Sequence, residues 1–178
     1  MDRTKFPIGP LVDDLPHGYL EAGRDYHSAL VKLGLIPELT LWVRDAAIDG
    51  WALLICTPLY DAVGGYGIMD LLFRAYDASA TPQLINPFIL RLESPNHPII
   101  RNISATLSGR GMPTLVGITP SGEQVAGIAD HSMAEGRIGD LSFRHGWRYV
   151  VGHERAHPAN PFKAFKVFKR SVEQRIAA

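Results

Sequence analysis

The stretch His153-Glu154-Arg155-Ala156-His157 sets two imidazoles four residues apart around a carboxylate. On a helix that spacing puts both histidines on one face, where they can hold zinc while the glutamate takes a proton from a metal-bound water. Two neighbours act against such a helix. Arg155 charges the interior of the motif, and Pro158 follows it directly, which biases His157 toward extended backbone angles. The preceding Trp147-Arg148-Tyr149-Val150-Val151 is aromatic and β-branched, so its natural state is a strand running to Gly152. The pentapeptide then falls in a connection. A third protein ligand is also needed, and Glu173 is the only acidic residue downstream.

Four other groupings carry candidate chemistry. Lys163, Lys166, Lys169 and Arg170 accompany Phe162 and Phe165 near the C-terminus, a basic stripe beside an apolar one. Such a helix can dock on an acidic partner, a phosphate backbone or a membrane surface, or it can simply lay its phenylalanines on a sheet with its lysines solvated. Gly64-Gly65-Tyr66-Gly67 follows an apolar run and precedes a helical one, where a phosphate could meet free backbone amides. No lysine followed by serine or threonine completes a phosphate loop, so the expectation is a flexible turn. Asp130-His131-Ser132 holds the side chains of an acyl-transfer triad, but adjacent residues do not orient one another as nucleophile, base and carboxylate. The lone Cys56 lies in an apolar run and reads as a buried thiol of a reducing cytosol.

With its apolar pair ahead of the first histidine, the run Val150 to His157 resembles the zinc-binding helix of the zinc metallopeptidases, the zincins. The resemblance extends no further along the chain. It implies zinc held by His153 and His157, Glu154 as general base, and hydrolytic activity.

The elements that must position these residues are legible in outline. At 178 residues the chain fits one domain and should bury roughly 70% of the surface its unfolded form exposes. Its 46% apolar and 20% charged content suits a globular protein. Eighteen basic residues balance eighteen acidic ones, so no global field draws it to nucleic acid or an anionic membrane. Residues 1–16, with three prolines, read as an extended arm without a signal peptide or membrane span. Tyr19, Tyr26, Leu30 and Leu33 predict a helix over 18–34 that Gly34 ends and Gly23 weakens. Leu39 to Val43 and Trp51 to Thr57 predict a hairpin turning at Asp49-Gly50, its second strand central. A mostly buried helix follows from Ile68 to about Ala78, then a strand over Phe88 to Leu92 and a helix from Pro98. His27 falls near the apolar face of the first helix, and His97 at the start of the one that Pro98 opens. From Thr114 the chain reads as a four-stranded antiparallel meander over Leu115 to Ile118, Gln124 to Ala129, Arg137 to Arg144 and Trp147 to Val151. A last helix begins at Pro161.

These readings converge on an α+β fold, a single domain over 17–178 whose mostly antiparallel sheet, an N-terminal hairpin plus a C-terminal meander, is covered by about four helices. The expected function is a cytoplasmic, non-enzymatic binding module, without cofactor, whose partner is another protein or a second copy. Its interaction residues are Phe162, Lys163, Phe165, Lys166, Lys169 and Arg170. The alternative is a zinc hydrolase acting through His153, Glu154 and His157.

Overall fold

Nearly continuous apolar runs on both sides of an Asp-Gly turn make the hairpin around which the chain is organised. Strands β1 (Leu39–Asp45) and β2 (Gly50–Cys56) pair antiparallel with Trp42 opposite Leu53, and Asp49 takes the positive φ of 46° that the tight turn requires. Both strands are buried on both faces, Trp42, Leu41, Leu53, Leu54 and Ile55 completely. The computed structural model describes residues 13–108, 116–118, 124–126, 135–149 and 160–177, with the backbone alone at 116–118 and 124–126. Within them lie four α-helices and a six-stranded, mostly antiparallel sheet, so the fold is α+β.

Helix α1 (Tyr19–Leu33) precedes the hairpin and is closed by Gly34, whose N–H reaches the Leu30 and Val31 carbonyls. Helix α2 (Leu59–Asp77) follows β2 and starts earlier than the sequence predicts. The glycine run falls within this span, where two helical segments meet at a kink: Gly64 takes φ 75° and ψ 164°, a non-helical conformation open to glycine alone. A short 3-10 turn at Pro87–Ile89 leads into β3 (Leu90–Glu93), which joins the sheet parallel to β2. Arg91 of β3 reaches past β2 to Asp45 at 2.6 Å and also pairs with Glu93, while Asp45 Oδ1 accepts from Ala47 N. Asp45 is almost fully buried, so this bridge must stay intact for its carboxylate to remain compensated. Helix α3 (Pro98–Leu107) buries Ile100, Ile103 and Leu107, with proline at its first position as expected.

The C-terminal strands are antiparallel but do not run on as one meander. Strands β4 (Val116–Ile118) and β5 (Gln124–Ala126) form a two-stranded sheet of their own. The run predicted as one strand over Arg137 to Arg144 turns at Gly139-Asp140, giving the hairpin β6 (Glu135–Ile138) and β7 (Leu141–Arg144). After a 3-10 turn at His145–Trp147 comes β8 (Arg148–Tyr149). Strands β7 and β8 both pair with the same edge of β1, in registers that differ by the three residues of that turn. They are one strand carrying a bulge. The main sheet therefore runs β3-β2-β1-β7-β6, with β8 beside β7 on β1. Helix α4 (Pro161–Ile176) opens on the Asn160 side chain, which accepts from Lys163 N, and it buries Phe168 and Val172.

Glycine at position 23 does not merely weaken α1; it lets the helix approach the sheet. A methyl group there would lie 2.5 Å from Trp42 Nε1 and 2.7 Å from Tyr149 Cζ. Both rings are buried and rigid. Helix propensity alone favours alanine by about 1 kcal/mol. Overpacking reverses the sign, so Gly23→Ala should lower unfolding free energy by about 2 kcal/mol in a urea titration. A stabilised variant would show that α1 can lift from Trp42 without cost.

Candidate functional site

Residues Leu20, Arg24 and His27 follow helical spacing on α1 and share one flank of it. That flank faces the 3-10 turn and β8, and between them lies a cavity of about 350 Å³ lined by Leu20, Arg24, His27, Gly146, Arg148 and Tyr149. The floor is held by a hydrogen-bond node. The Tyr149 hydroxyl donates to the Leu20 carbonyl at 2.6 Å and accepts from Trp42 Nε1 at 3.0 Å, and Trp42 Nε1 is shared with the Tyr19 carbonyl at 3.0 Å. The His27 ring stacks on Tyr149 with centroids 6.0 Å apart, and its Nδ1 lies 3.0 Å from the Thr40 hydroxyl on β1. Both rings are thereby fixed from two sides.

The charged side chains among the described lining residues are both cationic. Arg24 is exposed, and Arg148 is exposed yet tethered, its guanidinium donating to the Leu107 carbonyl at the end of α3. Among the described lining residues there is no carboxylate, and Asp25, the neighbour of Arg24, lines a separate hollow with Lys32 and Arg175. Burial pushes the Tyr149 hydroxyl up to about 12, opposed by the hydrogen bond from Trp42 and the nearby Arg24 charge. A phenol held neutral and committed to two hydrogen bonds positions its neighbours; it does not serve as a general base. The Cys56 thiol is fully buried and raised by desolvation first and by the Glu93 and Glu38 carboxylates next, which makes it inert as a nucleophile.

A second surface forms where α4 crosses α2. Phe165 rests on Gly67, 3.7 Å from the position a Cβ would take there, and Phe168 is buried beside Gly34 of α1. The other face of α4 is open: Phe162, Lys163, Lys166, Val167, Lys169 and Arg170 are exposed. Tyr66, next to Gly67 on α2, is 88% exposed.

The sequence-predicted interaction residues thus divide. Phe165 is half-buried in the α2–α4 contact, whereas Phe162 and the cations Lys163, Lys166, Lys169 and Arg170 face outward. His153, Glu154 and His157 lie outside the described residues, as does Asp130-His131-Ser132. Among the described residues no group of three metal-ligating side chains occurs. The cavity was missed because its two halves come from segments over a hundred residues apart. Only the spacing of Leu20, Arg24 and His27 gave a signal.

The raised Tyr149 hydroxyl sets a pH dependence. In the unfolded chain a tyrosine ionises near its ordinary value of 10.0, while in the fold Tyr149 keeps its proton up to about 12. Between those values the unfolded state binds fewer protons, so stability falls as pH rises. The contribution is complete below pH 10.0 and is lost on the way to about 12. Urea midpoints measured across that window should fall less steeply for Tyr149→Phe than for the parent chain. Parallel slopes would show that the hydroxyl is solvated.

No family model, curated protein or solved structure matches this chain, so its functional reading rests on the geometry itself.

Proposed function

We propose that the chain is a non-enzymatic protein-interaction module that receives an acidic, apolar-bearing segment of a partner across the α2–α4 crossing. The observation that carries this reading is the exposure of two aromatic side chains beside that crossing, Tyr66 at 88% and Phe162 at 59%. Large aromatic rings left in water next to charged groups are the commonest anchors of protein interfaces. Lys163, Lys166 and Arg170 surround Phe162 on the open face of α4, and Lys169 makes an exposed pair with Glu173 at 3.9 Å. Carboxylates on a partner would be steered toward this face and paired there. Symmetric self-association through it would set lysine against lysine, which favours an acidic partner over a second copy. The inert state of Cys56 and Tyr149 also supports binding over catalysis.

A labelled synthetic helix with leucines at helical spacing and glutamates between them tests the reading by fluorescence anisotropy. Binding in the range of about 10 μM is expected at low salt. Tyr66→Ala with Phe162→Ala, and separately Lys163→Glu with Lys166→Glu, should each weaken it about tenfold without changing the circular dichroism spectrum. Parent-like affinity in either double variant, or no binding by the parent chain, overturns the proposal. A dimer in sedimentation velocity that Phe162→Glu dissociates would put a second copy in place of the acidic segment.

A further inference from the structure

We infer that the cavity between α1 and β8 binds a small phosphate ester carrying a planar or apolar group. It is a different surface from the α2–α4 crossing, and either assignment stands without the other. Three features specify the ligand. Arg24 and Arg148 line one hollow, and among the described residues of its walls there is no carboxylate. Two guanidinium groups bordering one hollow can pair with an anion, and their planar forks match the geometry of phosphate oxygens better than an ammonium does. The hollow, at about 350 Å³, holds a small molecule and excludes a folded macromolecule.

The third feature is the shape of the remaining wall. Leu20 supplies an apolar side, and the stacked rings of His27 and Tyr149 form a rigid one. Hydrogen bonds to Thr40, the Leu20 carbonyl and Trp42 hold those rings in place. A pre-set wall loses little entropy when a flat group is laid against it. Arg148 is likewise pre-positioned by the Leu107 carbonyl, and Gly146 keeps the mouth on the turn side clear of a side chain. Arg24 is the untethered member: no side-chain hydrogen bond or ion pair of its guanidinium occurs among the described residues. Its guanidinium is free to fold over a bound phosphate, and its exposed position means that replacing it leaves the core untouched.

Isothermal titration calorimetry of the full chain with phenyl phosphate is the test, with phenol and inorganic phosphate as the uncharged and ring-free probes. Phenyl phosphate should bind at least about tenfold more tightly than either probe. Arg24→Gln should reduce that affinity about tenfold, with the thermal midpoint of the free protein unchanged. Arg148→Gln should act similarly, although it also frees the Leu107 carbonyl, so Arg24→Gln decides the matter. The inference is overturned if phenyl phosphate gives no binding heat up to about 10 mM. It is also overturned if Arg24→Gln binds as the parent does, or if phosphatidic acid vesicles bind while the soluble ester does not.

Discussion

The shared hydrogen bonds of Trp42, Tyr149 and the carbonyls of Tyr19 and Leu20 are the constraint on which the molecule turns. An indole N–H and a phenol in the interior each need a partner, or the buried group costs about 1 to 3 kcal/mol. Here one contact satisfies both, and it joins three segments: the start of α1, the centre of β1 and the end of β8. Those segments can meet only if α1 carries no side chain at position 23. Local helix stability has been exchanged for a close approach that closes the core.

The bulge at His145–Trp147 is the second half of the same arrangement. By adding three residues between β7 and β8, it lets both strands pair with one edge of β1 and brings Tyr149 opposite Thr40. It also turns Trp147 inward, edge to face with Trp51, with Arg144 lying over its ring at 5.2 Å. Bulges commonly re-aim side chains beside binding sites, and this one sets Gly146 and Arg148 at the rim of the cavity. Packing and candidate binding share one irregularity.

A formal charge of zero does not exclude local groupings of one sign. In the sheet, Arg91 is matched with Asp45 and Glu93, and Arg144 with Glu135 and Asp14, which ties the described start of the chain to β7. Away from these pairs, exposed cations line the open face of α4 and two border the α1–β8 cavity, while Arg74, Arg101 and Arg137 stand exposed elsewhere. The totals argue against a general polyanion binder. They do not bear on sites the size of one helix face or one small molecule.

Periodicity and turn chemistry by themselves determined the element types: α1 to its Gly34 cap, the hairpin through Asp49-Gly50, α3 from Pro98, α4 from Pro161, and hence an α+β class. These follow from contacts within a turn or two of chain, which composition records. The outward-facing cations Lys163, Lys166, Lys169 and Arg170 were legible for the same reason, whereas the parting of Phe162 from Phe165 was not. Gly64 inside α2 was not, because glycine marks a kinked helix and a turn alike until the flanking residues are seen to pack. Nor could local pattern reveal that Gly23 serves a close contact, that β3 lies parallel to β2, or that Arg24 and Arg148 border one cavity. Each depends on segments far apart in the chain, whose meeting is decided by which buried surfaces and polar groups satisfy one another in three dimensions.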